Sequence, residues 1–550
     1  MRRRTAGLAV LLTGAVVTGC TNGTEPDAPE ETTTAAATNA PTTVPAPDPT
    51  AESTALAAMG VSAGHPAAVE AGTTVLQGGG NAVDAAIATA FAVAVVEPYA
   101  SGIGGGGAAL VVPTDAAPAA YDYREVVAEG GVIPPSSIGI PGFVAGMAEL
   151  HSDHADLPWA EVLEPAIELA REGHPASEML VVRLREDRGP GIAAEHPQFA
   201  ADGRPLAAGD VLVQEELAAT MQTLAEEGAA SFYEGSIAED LVSVEGIDRA
   251  SLTGYEVQRN EPVRGEVGEH EVLAAAPPLP GVALVQMLQV AEALGVAGTE
   301  PGSAEYVHQM SSAWQVADDT VSTELGDPDF VDVPVDELTD AARNADLAAA
   351  VTPSGPVAGA PRPGNTTHVS VVDAEGLTVS MTNTIMHWWG SGTYHQGFFL
   401  NDQLTRFEAL DTPQNQPAPG RRSVSWSLPA VVVDGQDRPV LVIGSPGGRL
   451  IPNILAGVIA RWSLLDQPLP EAVAAPRFHL EGSTLQVEES LPSDTAEELR
   501  DLGYQIEEVP PEVYLFGSVQ ALAVDHGTGA VAGATDDRRQ GGFAVVQVVD

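Results

Sequence analysis

The chain has 550 residues, and 44 % of them are hydrophobic. That proportion is enough for a large buried core, so it excludes a chain that is disordered throughout. The 76 acidic residues outnumber the 24 basic ones and give a formal net charge of −52. This charge argues against nucleic acid as a partner and against docking on anionic lipid through protein charge, because both need cationic patches.

The first residues are typical of a bacterial lipoprotein signal. A basic start at Arg2–Arg4 precedes an apolar stretch, Leu8–Val17, that is too short to cross a bilayer. We expect residues 1–19 to be a signal peptide, Cys20 (the single cysteine) to be lipidated, and residues 20–54 to form a disordered Thr/Ala/Pro-rich tether. The alternative is an ordinary secretory signal with an incidental cysteine. Both predict an extracytoplasmic protein, either a membrane-anchored surface lipoprotein or a secreted protein.

The folded part begins with two predicted helices. Residues Pro66 to Leu76 can form a helix that the next three glycines end. Asn81 can then cap a second helix, Ala82 to Val96, whose residues are almost all small or apolar. A helix without a polar face is predicted to be buried on most sides.

The rest of the chain divides into a helical and a strand-rich part. Between Pro158 and Ala350 the pattern is mainly helical, with helices predicted at Trp159–Arg171, Gln214–Glu227 and Ala283–Leu294. Residues 351–365 hold four prolines and three glycines, which predicts an exposed loop or linker. Alternating and β-branched runs predict strands at Ala108–Val112, His368–Val372, Leu377–Thr382, Ala430–Val433, Val440–Ile443, Val519–Val524 and Phe543–Val549.

Three short motifs match known sites without the context that those sites need. Residues 102–107 fit G-x-G-x-x-G, but a helix precedes them and a strand follows, the reverse of a dinucleotide site. Residues 60–64 fit the G-x-S-x-G nucleophile elbow, but the strand signal before them is weak. His151 and His154 would need a third ligand from elsewhere, so we expect no catalytic metal.

The segment from Asn365 to Asp373 suggests a different chemistry. A Pro/Gly-rich loop leads directly into Thr366, at the start of a predicted strand. If the chain were cut between Asn365 and Thr366, the new α-amino group would have a pKa of about 7.7–8.0, which suits a general base at neutral pH. One residue would then supply both nucleophile and base. An ordinary strand with threonines is the alternative, and this segment alone does not exclude it.

Several blocks along the chain together resemble the γ-glutamyltransferase family of N-terminal nucleophile hydrolases. The resemblance covers about residues 55–550, and a likeness of this extent is far more specific than a short match. The blocks that carry it are residues 79–86, 96–98, 101–107, 121–125, 326–330, 366–373, 444–448 and 536–539.

The resemblance implies roles for five residues. Thr366 is the nucleophile and new N-terminus after self-cleavage behind Asn365, and Thr384 orients it. Gly447 and Gly448 form an oxyanion hole from backbone N–H groups, which glycine leaves open to approach. Arg124 binds a substrate carboxylate as a bidentate partner, although a surface ion pair is the alternative for this arginine.

The resemblance also implies an architecture. We expect an α+β fold, a four-layer αββα sandwich built by a large subunit, residues 55–365, and a small subunit, residues 366–550. The two subunits stay together after cleavage. The enzyme would cleave γ-glutamyl-type amides, as in glutathione hydrolysis or transpeptidation, through a threonyl acyl-enzyme. Its other partners are water or an amine acceptor, and it needs no cofactor.

The positions that recognise the donor depart from the family pattern. Met386 stands where the family has asparagine, and Arg406 stands where it has the aspartate that binds the donor's α-amino group. Of two serines that hold the α-carboxylate only Ser425 remains, because the second position is Trp426. An arginine repels an ammonium group, so the donor is expected to lack one, as glutaryl amides and internal bonds of poly-γ-glutamate do. An inactive binding lipoprotein is the remaining alternative.

Overall fold

The computed structural model describes residues 55–350 and 365–548. The predicted signal peptide, the lipidation site Cys20 and the tether lie outside the described residues, as do residues 351–364 of the predicted linker. The division into subunits at Thr366 therefore stays a prediction. In the part of the chain that the structure describes, no helix is both long and apolar enough to cross a membrane.

Most strands of the described residues belong to two large antiparallel sheets. The strands are β1 Ala58–Ala63, β2 Gly106–Val112, β3 Ala119–Asp122, β4 His174–Pro175, β5 Ala200–Ala201, β6 Arg204–Pro205, β7 Val211–Leu212, β8 Gln258–Asn260, β9 Val263–Val267, β10 His270–Ala274, β11 Thr367–Val372, β12 Thr378–Thr384, β13 Tyr394–His395, β14 Phe398–Phe399, β15 Ala430–Val433, β16 Pro439–Gly444, β17 Phe478–Glu481, β18 Thr484–Val487, β19 Gln505–Glu508, β20 Gln520–Asp525, β21 Ala530–Ala534 and β22 Gly542–Gln547. The first sheet has the strand order β22-β1-β11-β12-β2-β3-β8, and the second has β21-β20-β16-β15-β10-β9.

The helices fall mainly before residue 351, as predicted. They are α1 Pro66–Gln77, α2 Ala82–Val96, α3 Phe143–His154, α4 Trp159–Glu172, α5 Glu178–Arg185, α6 Gly189–Glu195, α7 Glu215–Glu227, α8 Ala230–Tyr233, α9 Ser236–Leu241, α10 Arg249–Thr253, α11 Gly281–Ala293, α12 Ala304–Thr323, α13 Val335–Leu338, α14 Ala341–Ala350, α15 Thr405–Ala409, α16 Ile451–Ile459, α17 Leu469–Ala474 and α18 Ser493–Asp501.

Three groups of buried side chains define four layers. Alternate residues of β2 point to opposite faces: Leu110 and Val112 join residues of the second sheet such as Val431, while Val111 packs under α1 to α4. On the other side, α11, α12 and α16 cover the second sheet. The order is therefore helices, sheet, sheet, helices, which confirms the predicted αββα sandwich.

The helix pair before β2 forms as the sequence predicts. Asn81 accepts backbone hydrogen bonds at the start of α2, and Asp84 bonds back to its N–H in a capping box. All fifteen residues of α2 are buried. The region from Pro158 to Ala350 is mainly helical, as predicted, although β8, β9 and β10 of the two sheets, which were not predicted, also lie within it.

The structure accounts for the three motifs that lacked their context. Ser62 lies inside β1 and donates to the carbonyl oxygen of Gly542 over 3.3 Å, so it is not at a strand-to-helix turn. The imidazoles of His151 and His154 contact the carbonyl of Leu157 and the hydroxyl of Tyr121, each at 2.8 Å. Residues 102–107 follow α2 and enter β2, the reverse of a dinucleotide site.

Candidate active site

Thr366 lies at the end of a central strand of the first sheet. β11 begins one residue later and pairs with β1 on one side and β12 on the other. Both Asn365 and Thr366 are buried, with exposed fractions of 2 % and 6 %. A strand fixed on both sides holds the Asn365–Thr366 peptide bond in one place, as a reacting bond requires.

The carbonyl oxygen of Asn365 accepts two hydroxyl hydrogen bonds. The Thr366 hydroxyl donates to it over 2.5 Å and the Thr384 hydroxyl over 2.6 Å. The Asn365 side-chain amide donates to the carbonyl oxygens of Tyr99 and His387, at 2.5 and 2.8 Å. Both the side chain and the carbonyl of Asn365 are thus held, and the Thr384 hydroxyl polarises that carbonyl.

Replacing Thr384 with valine removes this polarisation without changing the shape of the side chain. We expect Thr384→Val to slow cleavage before Thr366 by about 10²–10³-fold, the usual cost of losing one hydrogen-bond donor to a developing oxyanion. The fraction of cut chain over time on a denaturing gel measures the rate. Thr378→Val, at the other end of β12, is the matched control. Equal cleavage rates in both variants would contradict the role of Thr384.

A run of glycines brings β2 close to Thr384. A Cβ on Gly105 would lie 2.2 Å from the Thr384 carbonyl oxygen, and one on Gly107 would lie 2.3 Å from Asn383 Oδ1. No side chain fits at such distances, so these positions require glycine. The run that resembles a nucleotide loop therefore packs β2 against the strand that carries Thr384.

Gly447 and Gly448 lie in the loop that follows β16. Their φ angles are 145° and 57°, and positive φ angles favour glycine. The loop leaves β16 at Gly444, where a Cβ would lie 2.0 Å from the His368 imidazole, two residues after Thr366. The topology thus brings the glycine loop to the end of β11 next to Thr366, and the nucleophile role of Thr366 and the oxyanion role of the glycines stay predictions.

His368 belongs to a buried polar cluster between the sheets. Its Nδ1 lies 2.8 Å from the Thr382 hydroxyl and its Nε2 lies 3.1 Å from the Ser370 hydroxyl. Ser370 donates across to the Gln520 carbonyl oxygen of the second sheet over 3.1 Å. Burial lowers the pKa of His368 to about 3, so the ring is neutral at ordinary pH. This cluster links β11 of the first sheet to β20 of the second sheet.

Arg124 is fully buried, which corrects the alternative of a surface ion pair. Its Nε and Nη2 bond to the Asp122 carboxylate, with Nη2 at 2.6 Å, and its Nη1 donates to the Ser423 carbonyl oxygen over 2.6 Å. Arg422 also lies 3.4 Å from Asp122. The pair positions the guanidinium beside the segment that contains Ser425, and binding of a substrate carboxylate by Arg124 stays a prediction.

Arg406 is a nearly buried cation without an ion-pair partner in the described residues. Its exposed fraction is 8 %, and its Nε donates to the Val424 carbonyl oxygen over 3.2 Å. Burial, with smaller contributions from Arg449 and Arg124, lowers the pKa of Arg406 to about 10, so it remains charged at neutral pH. Within the described residues, Arg449 is paired with Asp318 and Arg124 with Asp122, whereas Arg406 forms no ion pair.

Ser425 and Trp426 lie next to Arg406. Ser425 is 3 % exposed, and the centre of the Trp426 ring lies 5.4 Å from the Arg406 guanidinium carbon. The Trp426 indole N–H is buried and has no hydrogen-bond partner among the described residues. A tryptophan at a serine position thus keeps a hydrogen-bond donor at this place and adds an aromatic face for the arginine.

The turn that carries Arg406 is attached to the end of β12. The Asp402 backbone N–H donates to the Ile385 carbonyl oxygen over 3.2 Å, one residue beyond Thr384. Met386, at the other altered position, has a φ of 81°, which is rare for a residue with a side chain. Met386 and the turn that carries Arg406 therefore both lie near the end of β12, where Thr384 donates to the Asn365 carbonyl.

Comparison with known proteins agrees with this geometry. A profile of the family described as gamma-glutamyltranspeptidase matches residues 68–546. The chain belongs to the gamma-glutamyltranspeptidase family. It is an enzyme of that family, and the sequence resemblance is confirmed.

Two relatives and one solved structure illustrate the range of the family. A capsule biosynthesis protein CapD proenzyme of Bacillus anthracis is 35 % identical, over 88 % of this chain and 90 % of the relative. A glutathione hydrolase proenzyme of Pseudomonas aeruginosa is 34 % identical, over 86 % and 92 %. The crystal structure of a cephalosporin acylase from Bacillus halodurans superimposes with a TM-score of 0.81 at 25 % identity, over 92 % and 98 %.

Sequence reasoning missed two features of this site. It gave no role to Arg449, directly after the glycine loop, whose charge acts on Arg406. It also passed over the pair of His387 and Asp402, although Asp402 was noted as a neighbour of Arg406. The sequence held a clue to this pair, because His387 and Asp402 both lie between Thr384 and Arg406, in the part of the chain that departs from the family pattern.

Proposed function

We propose that the protein is a self-cleaving threonine hydrolase or transferase for γ-glutamyl-type amides whose acyl donor carries a carboxylate but no free α-ammonium group. The observation that carries this proposal is the nearly buried Arg406, which donates to a backbone carbonyl and forms no ion pair in the described residues. A buried cation without a counter-ion is costly, so a donor carboxylate would be stabilised there and an ammonium group repelled.

Maturation begins at the Asn365–Thr366 peptide bond. The Thr366 oxygen attacks the Asn365 carbonyl carbon, while the Thr384 hydroxyl stabilises the negative charge that develops on the oxygen. A C–O bond forms, the peptide C–N bond breaks, and the acyl group moves from nitrogen to oxygen. Water then hydrolyses this ester, which leaves a carboxylate on Asn365 and a free amine on Thr366. Both named relatives are proenzymes, which supports this step.

Turnover repeats the same chemistry on a donor. The free Thr366 amine takes the proton of its own hydroxyl, and the oxygen attacks the donor's side-chain amide carbonyl. The backbone N–H groups of Gly447 and Gly448 are proposed to stabilise the tetrahedral intermediate. The amine leaves with a proton, and an acyl ester on Thr366 remains. Water or an amine acceptor then releases the acyl group.

A second observation supports the class of donor. The unpartnered Trp426 indole N–H lies beside Arg406, and an N–H donor suits a carboxylate. Glu125, next to Arg124, does not balance these cations, because burial raises its pKa to about 8 and leaves it neutral at pH 7. Internal bonds of γ-linked polyglutamate fit this pocket, since their α-nitrogen is an uncharged amide and their carboxylates are free.

Two matched substrates test the proposal. Glutaryl-p-nitroanilide and γ-glutamyl-p-nitroanilide differ only in the α-ammonium group. We expect kcat/KM to be at least about 10-fold higher for the glutaryl compound, because Arg406 repels the ammonium group of the γ-glutamyl compound. A tenfold preference corresponds to about 1.4 kcal/mol. Release of p-nitroaniline measures both. A preference for the γ-glutamyl compound would rule out this donor class while leaving membership of the family intact.

Export and lipidation at Cys20 also remain proposals. They are supported by the basic start, the short apolar stretch and the position of the single cysteine.

A further inference from the structure

Arg449 is held by two carboxylates that come from separate elements of the fold. Its Nη2 lies 2.6 Å from both carboxylate oxygens of Asp318, in α12, and its Nη1 contacts the carboxylate of Glu481, in β17. The Asp318 and Glu481 side chains are only 7 % and 9 % exposed. Charge-assisted hydrogen bonds at this depth hold a side chain more firmly than an exposed ion pair does.

The two carboxylates belong to a frame that is joined independently of Arg449. The Trp314 indole N–H, in α12, donates over 3.0 Å to the carbonyl oxygen of Leu480, the neighbour of Glu481. The centre of the same ring lies 5.5 Å from the Arg449 guanidinium carbon. Asp318 precedes the predicted cleavage site and Glu481 follows it, so the frame joins both predicted subunits.

The glycine loop before Arg449 has no side chain of its own to hold it. Gly447 and Gly448 have φ angles of 145° and 57°, and a glycine reaches such angles without steric cost but also reaches many others. Arg449 is the next residue and carries the first side chain after the pair. A fixed guanidinium therefore restricts the conformations that are open to the two glycines.

The same contacts argue against a direct role of Arg449 in binding the donor. Both of its terminal nitrogens already face a carboxylate. Arg406, by contrast, donates through Nε to a backbone carbonyl and forms no ion pair in the described residues. Of these two arginines, Arg406 is therefore the one that is open to a donor carboxylate, and Arg449 is engaged within the protein.

We propose that Arg449, clamped by Asp318 and Glu481, is the positioning residue of the glycine loop. It holds the backbone N–H groups of Gly447 and Gly448 in the direction that turnover requires. This inference rests on the oxyanion role of these glycines in the proposed function. Donors that are held in place before the reaction stabilise the developing charge without reorganisation, and a displacement of about 1 Å can cost about 100-fold in rate.

Maturation and turnover should respond differently to the loss of this clamp. In maturation the Asn365 carbonyl is stabilised by Thr384, whereas turnover uses the glycine loop. For Arg449→Gln we therefore expect normal cleavage before Thr366 and a kcat for glutaryl-p-nitroanilide that is lowered about 100-fold. KM and the preference between the two p-nitroanilide donors should change little, because no contact with the donor is lost.

A tetrahedral inhibitor provides a readout that a general loss of stability would not move. In the boronic acid analogue of the glutaryl donor, boron replaces the reacting carbonyl carbon and forms a tetrahedral anion with the Thr366 hydroxyl. Its inhibition constant for Arg449→Gln should rise by about the same factor as kcat falls. Arg449→Lys should restore part of both, because lysine keeps the charge but lacks the planar fork that spans two carboxylates.

Arg438→Gln is the matched control, since Arg438 lies 2.6 Å from Asp434 at the other end of β16 and should leave both constants unchanged. An unchanged kcat in Arg449→Gln, a change in KM alone, or cleavage slowed by the same factor as turnover would each overturn the inference. Thermal unfolding shows whether the variants fold, and Asp318→Asn provides the same test if Arg449→Gln does not. A wild-type enzyme that forms no acyl-enzyme would overturn the proposed function itself.

Discussion

Thr366→Ala is expected to yield a single uncut chain with no amidase activity. The substitution removes the hydroxyl that contacts the Asn365 carbonyl at 2.5 Å, so no ester can form during maturation. Without cleavage the α-amine stays in a peptide bond and cannot act as a base. Both steps depend on the same atom. The loss should therefore be complete, and a denaturing gel together with p-nitroaniline release measures it.

Thr366→Ser is the matched variant for this experiment. Serine keeps the hydroxyl and, once cut, the α-amine, so this variant should still be cleaved and turn over substrate. Cleavage of the alanine variant at the same bond would show that the cut does not depend on Thr366. A cut serine variant without activity would show that maturation and turnover use different geometry.

Arg406→Asp is expected to reverse the donor preference. The substitution removes the cation that disfavours an ammonium group and supplies a carboxylate acceptor, which is the residue that the family resemblance implies for this position. We expect kcat/KM to fall about 10–100-fold for glutaryl-p-nitroanilide, because a hydrogen bond to a charged group contributes about 1.5–3 kcal/mol. The value for γ-glutamyl-p-nitroanilide should rise. The ratio of the two constants is the quantity to compare with wild type.

Arg500→Asp controls for the change in net charge, because Arg500 is exposed on α18. It should leave the ratio unchanged. Arg406→Gln should give an intermediate ratio, since it removes the positive charge without adding a negative one. If the ratio of the two constants stays at the wild-type value in Arg406→Asp, the charge at position 406 does not select the donor.

The sequence predicted those parts of the molecule that local pattern determines. The all-apolar run from Ala82 to Val96 and its Asn81 cap specify a buried helix without reference to the rest of the chain. The Pro/Gly-rich run before Thr366 is a similarly local signal, and it predicts where β11 begins. β9 was missed although buried and charged residues alternate in Val263–Val267, because this short strand signal lies within a region dominated by helices.

The charge balance of the donor pocket could not be predicted in this way. Whether an arginine is neutralised depends on partners far along the chain, such as Asp318 for Arg449, 131 residues apart. The family resemblance implied that Arg406 stands in place of an aspartate, but only the fold shows that it is nearly buried and has no ion-pair partner in the described residues. The same holds for the pairing of His387 with Asp402.

Intact-mass analysis of the purified wild-type protein, before and after brief incubation with glutaryl-p-nitroanilide, tests the central claim most directly. We predict two fragments, the smaller beginning with Thr366, and a gain of one glutaryl group on that fragment alone. A single uncut chain would contradict the account and favour a binding protein that kept the fold. A cut chain that releases p-nitroaniline without any acylated fragment would contradict the threonyl acyl-enzyme.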